Sequence, residues 1–192
     1  MILGITGSSG AGKSTVCEIL ENQYKSQTIS ADKIAKQLSK PGTKYFQEII
    51  QKFGENILLE NGELDRKKLA SIIYSDSIKR DELNNITFKY IKNEVKIQIS
   101  KINNNIIAID APLLFEAKMQ DLCDKTIAVV SKDRKIQLQR IVKRDNINEE
   151  QAIARLNAQH PNEFYIEKCD YTIINNETLE KQIEELLKKI VM

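Results

Sequence analysis

The sequence predicts an α/β fold built on a five-stranded parallel sheet, and three observations predict it. Five short apolar runs, mostly β-branched and bounded by polar residues, read as buried strands. Helical patterning separates them, and strands alternating with helices imply right-handed crossovers with helices on both faces of one sheet. Four of the seven glycines fall within the first twelve residues and none follows Gly62, so close backbone approach is needed where the first strand meets the first helix.

Taken in order, Ile2 to Thr6 is an apolar run ending in small residues, a strand. Lys13 through Tyr24 follows with Val16, Ile19 and Leu20 at helical spacing, so the glycines join a strand to a helix. Thr28-Ile29-Ser30 is the second strand, and the helix after it is expected over Lys33 to Leu38. From Asp32 to about Asn104 the patterning is helical with no strong strand, too long for one crossover, broken at Pro41-Gly42 and at Asn61-Gly62. Asp65 is placed to cap a helix over Arg66 to Tyr74, and Tyr45, Phe46 and Phe53 are expected to pack this helical insertion, residues 32–104. Ile106 to Ile109, Thr126 to Val130 and Tyr171 to Ile174 complete the strands. Helices are expected over Asp133 to Arg144, over Asn148 to Gln159 with an Asn-Glu-Glu start signal, and over Glu177 to Val191. There is no repeat, low-complexity tract or linker, so residues 1–192 are read as a single domain.

Composition narrows the function. At 192 residues, 41% hydrophobic and 29% charged, the chain is an ordinary globular one, neither disordered nor fibrous. No apolar run approaches the roughly 20 residues of a membrane helix, and Met1 to Ile5 carry neither the basic nor the long apolar part of a secretory signal. The expectation is a cytoplasmic protein with no membrane partner. A net charge of +2, from 29 basic and 27 acidic residues, gives no reason to expect nucleic acid, and nothing identifies a protein partner. Cys17, Cys123 and Cys169 are widely spaced and unpatterned, so reduced structural thiols are expected rather than disulfides or zinc. His160 is the only histidine, which removes most triad hydrolases and multi-histidine metal sites; before Pro161 it reads as a loop residue.

The chemistry lies in Gly7-Ser8-Ser9-Gly10-Ala11-Gly12-Lys13-Ser14, which fits the phosphate-binding pattern G-x-x-x-x-G-K-[ST] in its required strand–loop–helix setting. Backbone N–H groups of Gly10, Ala11, Gly12, Lys13, Ser14 and Thr15 are expected to hold the phosphates of a nucleotide, with Lys13 reaching the β and γ groups and the Ser14 hydroxyl on Mg2+. Two readings stand for Asp32: a base taking a proton from a hydroxyl acceptor, or the N-cap of the helix from Lys33. Asp110, after four apolar residues, is either a carboxylate delivered to the metal or a surface acid in a cap or salt bridge, and Glu116 either faces the same crevice or is likewise a surface acid. Arg140 and Arg144 share a helix face and Arg155 lies on the next helix; they either converge on a transferring phosphoryl group or belong to a solvated charged face with Asp145, Glu149 and Glu150.

With these residues in place the chain resembles the dephospho-coenzyme A kinase family over nearly its whole length. The opening loop to Thr15, Ser30-Ala31-Asp32-Lys33-Ile34-Ala35, Pro41-Gly42, Asn61-Gly62-Glu63-Leu64-Asp65-Arg66, Pro112-Leu113-Leu114-Phe115-Glu116, Arg140 to Asp145, Arg155 and Gln159 carry the resemblance. It implies a P-loop kinase with a five-stranded parallel core, a helical acceptor-binding insertion and a helical lid over residues 133–168. It also implies transfer of phosphate from ATP to the ribose 3′-hydroxyl of dephospho-coenzyme A, Asp32 as base, Arg140 and Arg144 over the transferred group, and Leu114, Phe115, Glu116 and Arg155 among the acceptor contacts. Three positions depart from the family pattern: Ser30 where an acid is frequent, Thr87-Phe88 where His-Pro is common, and Tyr165 where many members have lysine. Another small-molecule or nucleoside monophosphate kinase is the alternative. A guanine-nucleotide switch is disfavoured, since the chain has no Asn-Lys-x-Asp and no Asp-x-x-Gly.

Overall fold

A computed structural model describes residues 1–191. The chain divides into two compact units, one of residues 1–29 with 102–192 and one of residues 30–101.

The first unit carries the sheet. Strands β1 (Ile2–Thr6), β2 (Gln27–Ser30), β3 (Ile107–Asp110), β4 (Lys125–Val130) and β5 (Tyr171–Ile174) lie in the order β2-β3-β1-β4-β5, all parallel. Register aligns Ile5 with Asp110 on one side and Thr6 with Ala128 on the other, so the ends of three strands meet at the glycine loop that follows β1. Helices α1 (Lys13–Tyr24) and α9 (Leu179–Val191) pack on the sheet through a core that includes Leu3, Ile5, Val16, Leu20, Ile127, Val129, Ile173, Ile183 and Leu187. These apolar residues were legible as alternating or continuous buried runs because a parallel sheet is covered on both faces. The helix α8 (Asn162–Lys168) packs Tyr165 against Ala128 and Val130. Tyr165 is buried, and that burial pushes its hydroxyl up to about 12.

Between β4 and α8 stand α6 (Arg134–Asp145) and α7 (Glu149–Asn157), which share a small core of Ile141, Ala152 and Leu156. Both start where a cap allows it. Asp133 accepts from the N–H groups of Lys135 and Ile136, and Asn148 forms a reciprocal capping box with Gln151. Asn146 ends α6 in the left-handed conformation, φ 51°, and turns the chain into α7.

The second unit is helical: α2 (Ala31–Leu38), α3 (Lys44–Phe53), α4 (Arg66–Ser75) and α5 (Ser77–Lys101). Tyr45, Ile49, Ile57, Leu69 and Leu83 form its core with Phe53 packed against them, and Phe46 is also buried. Asp65 caps α4 by accepting from the Lys68 N–H, as expected. The Tyr45 and Thr87 hydroxyls are 3.1 Å apart, which ties α3 to α5.

Several element boundaries differ from expectation by one or two residues, and two of them bear on the site. β3 runs from Ile107 to Asp110, so the acid is the last residue of the strand rather than the residue after it. The helix α2 starts at Ala31, and Ser30, not Asp32, is its N-cap: the Ser30 hydroxyl accepts from the Lys33 N–H at 3.4 Å. Asp32 therefore sits exposed in the first turn, and the cap reading of that residue is overturned.

Candidate active site

The site is built on the segment from Gly7 to Thr15. Gly12 precedes α1 with φ 107°, a backbone open to glycine alone at low cost, and a side chain there would collide with the Asn175 amide, which donates to the Ala11 carbonyl. No side chain caps α1 and its first turn holds no acid, whereas α2, α3, α4, α6 and α7 are each capped by a side chain. An uncapped N-terminus behind a glycine loop presents orphan N–H groups and the positive end of the helix dipole, the requirements for holding an anion.

Lys13 corrects one expectation. A lysine that opens a helix after a glycine loop is expected to stand in solvent, yet Lys13 is only 9% exposed. As the first residue of α1 its stem runs along the strand–helix junction, and Nζ donates back to the carbonyls of Gly7 at 2.8 Å and Ser8 at 3.1 Å. Ser14 and Thr15 are exposed on the same turn. Cys17, one turn further on, has its thiol pushed up to about 12, first by burial and then by the charge of Asp110, with Lys13 opposing. Asp110 ends β3 beside Ile5 of β1, just before the glycine loop. Asp110 and the Ser14 hydroxyl supply hard oxygen donors of the kind Mg2+ takes.

On the other side of the loop stands α6. Arg144 Nη2 donates to the Ser9 hydroxyl at 2.9 Å and Arg140 Nη1 to the Gly10 carbonyl at 3.4 Å. Arg144 also makes a two-pronged pair with Asp145 at 2.8 Å, and Arg155 of α7 pairs with the same carboxylate. The three arginines named from sequence are thus brought together. Asp145, named from sequence only in the alternative of a solvated charged face, pairs with two of them, and the Arg144 guanidinium, then Arg155, holds its carboxyl below the ordinary range. Sequence reasoning also missed Gln137, buried on α6, whose Nε2 donates to the Ser8 hydroxyl at 2.8 Å and the Ser9 carbonyl at 2.7 Å. Gln159 carried the family resemblance but no role; its Oε1 accepts from the Ser9 N–H at 2.7 Å.

The segment Pro112 to Glu116 follows β3. Leu114, expected among the acceptor contacts, is fully buried, and its methyls lie where a side chain at Gly4 would be. It anchors the segment to the sheet. Phe115 meets the Phe164 ring edge-on at 6.2 Å, and Lys168 Nζ lies over both rings. Glu116 Oε1 pairs with His160 Nε2 at 3.1 Å, and His160 stacks on Phe164 at 3.7 Å. The loop histidine, given no role from sequence, thus clasps this segment to the start of α8.

Comparison with known proteins gives a consistent result. The family model described as dephospho-CoA kinase matches residues 1–181. A dephospho-CoA kinase of Fusobacterium nucleatum is 41% identical over 191 residues, 99% of this chain and 95% of that protein. One from Listeria monocytogenes is 38% identical over 182 residues, 93% of this chain and 90% of that one. The solved structure of the dephospho-CoA kinase from Campylobacter jejuni superposes with a TM-score of 0.66 at 29% identity, covering 98% of this chain and 96% of that one.

Proposed function

Because the chain belongs to the dephospho-CoA kinase family, we propose that it transfers the γ-phosphoryl group of ATP to the ribose 3′-hydroxyl of dephospho-coenzyme A, giving coenzyme A and ADP, the last step of coenzyme A biosynthesis. The observation that carries this reading is the extent of the family match. It runs through residues 1–181, so it takes in residues 30–101 as well as the glycine loop that all P-loop kinases share.

In this reading the uncapped N-terminus of α1 and the amides of Gly10 to Thr15 hold the ATP phosphates. The Lys13 ammonium, now on the Gly7 and Ser8 carbonyls, is available to the β and γ oxygens. Ser14 and Asp110 are the residues that would hold Mg2+, which when bound neutralises phosphate charge. The acceptor 3′-oxygen attacks the γ phosphorus as the bond to the β–γ bridging oxygen breaks, and Asp32 takes the hydroxyl proton. Freedom from capping duty supports that role, since the Asp32 carboxylate is exposed and not engaged with the helix end. Arg140 and Arg144 supply positive charge to the transferring group. Residues 133–168 act as the lid. Residues 32–104 act as the acceptor-binding insertion, with Phe115, Glu116 and Arg155 contributing to acceptor contact.

ATP and dephospho-coenzyme A are the small-molecule partners in this account, and the setting is the cytoplasm, with no nucleic-acid or membrane partner. Among the described residues, no helix is long and apolar enough to cross a membrane. The test is ADP release with Mg-ATP against a panel of dephospho-coenzyme A, nucleoside monophosphates and pantothenate-derived acceptors. Dephospho-coenzyme A is expected to be preferred; a strong preference for a nucleoside monophosphate would replace this reading with the nucleoside monophosphate kinase alternative.

A further inference from the structure

The glycine loop is gripped chiefly at one residue, Ser9, by α6 and by Gln159. The Ser9 N–H is taken by Gln159, its carbonyl by Gln137 and its hydroxyl by Arg144. Ser9 N–H is thereby committed away from any bound anion. Gln137 uses the two protons of one Nε2, on the Ser8 hydroxyl and the Ser9 carbonyl, in a buried setting where such bonds are costly to leave unmade. The backbones are in contact as well. A side chain on Gly10, whose φ is +72°, would come within 2.8 Å of the Gln137 carbonyl and 2.9 Å of Ile141 Cγ1.

Gln137, Arg140, Ile141 and Arg144 are spaced i, i+3, i+4 and i+7, one face of α6. A bond that fixes the first of these fixes the rotation of the helix about its axis, and with it the direction of the two guanidiniums further along. We propose that Gln137 is a positioning residue for phosphoryl transfer: its amide fastens α6 to the loop at Ser8 and Ser9 and so sets the angle at which Arg140 and Arg144 meet the transferring group. The proposal rests on the functional reading above only for which reaction is measured. The fastening itself belongs to the protein without substrate.

Two measurements test it. The first compares Gln137→Met, which keeps the size and removes both donors, with Arg144→Ala and the double variant. Loss of alignment is expected to lower kcat by about 10- to 100-fold, with the dissociation constant for ATP changed by less than about threefold, the signature of an interaction felt in the transition state. Because Gln137 acts through Arg144 as well as Arg140, the double variant should be clearly less impaired than the product of the two single effects; effects that multiply in full would mean independent roles and overturn the proposal. Should Gln137→Met fail to fold, Gln137→Glu, nearly isosteric and lacking the same two donors, serves in its place. The second measurement is hydrogen exchange, which needs no acceptor. Residues 7–15 and 134–145 should exchange faster in the variant while β4 and α9 keep wild-type protection; unchanged exchange in the loop and α6 would overturn the fastening. Wild-type enzyme silent on dephospho-coenzyme A would sink the functional reading instead, and the exchange experiment would still decide the role of Gln137.

Discussion

Lys13 shows how one side chain serves structure and chemistry together. Lys13→Ala removes the charge and the buried donor to Gly7 and Ser8, so turnover should fall by about 10²- to 10³-fold or more, and stability by about 1–2 kcal/mol. Assay and thermal melt on the same sample check both, and a variant with wild-type turnover would remove the loop from catalysis. At Asp32 the structure separates two substitutions that sequence could not. Asp32→Asn should leave the melting temperature unchanged and lower turnover by about 10²- to 10⁴-fold. Ser30→Ala, which deletes the observed cap, should cost about 1 kcal/mol of stability and leave turnover nearly intact. Reversed outcomes would return Asp32 to a structural role. Asp145 carries a pH dependence. Its carboxyl is held below the ordinary value by Arg144 and Arg155, so the pair stabilises the fold above the usual carboxylate range and is lost as pH falls through the depressed value. The melting-temperature gap between the wild type and Asp145→Asn should therefore close as the pH falls below the usual carboxylate range, and a gap constant with pH would remove the ion pair from the stability of α6 and α7.

At the scale of elements, helix starts were the most legible features. Asp65 was named as a cap from sequence, and Asp133 and Asn148 opened helical patterns whose caps they prove to be, because a short side-chain acceptor before an apolar-periodic run has a local cause. Ser30 was missed because it closes a strand, and the acid two residues later offered an equally good cap. β3 was read one residue early because Ile106 continues the apolar run, while pairing with β1 extends to Asp110; pairing is set by the neighbouring strand and leaves no mark in composition. The buried Gln137 had no signal beyond its spacing from Arg140 and Arg144, since a glutamine on a polar helix reads as solvated until the loop opposite it is known. The capping box of α7 yields its own prediction. Asn148→Ala should cost about 1 kcal/mol and raise hydrogen exchange in residues 149–152, with α6 retaining its protection; uniform exchange across both helices would mean they unfold as one piece.

For the whole molecule, the glycine loop and the five apolar runs made the parallel sheet legible, but not the order β2-β3-β1-β4-β5, which depends on contacts distant in sequence. The thiols follow from the same burial. Cys17 and Cys123 are pushed up to about 12 and Cys169 to about 11, each chiefly by burial. A disulfide-exchange reagent at pH 8 should therefore modify the native protein slowly and all three cysteines at once after denaturation; rapid native labelling of any of them would contradict the packing described. The strand order has one more effect. The longest strand, β4, and β1 lie inside the sheet, and the outermost strands, β2 and β5, have four residues each. At roughly 3.3 Å per residue each border offers a newly made neighbouring chain about 13 Å of template, too brief a seam for intermolecular zippering, so the order that brings β1, β3 and β4 to the glycine loop also keeps crowded copies of the protein from seeding aggregates through their edges.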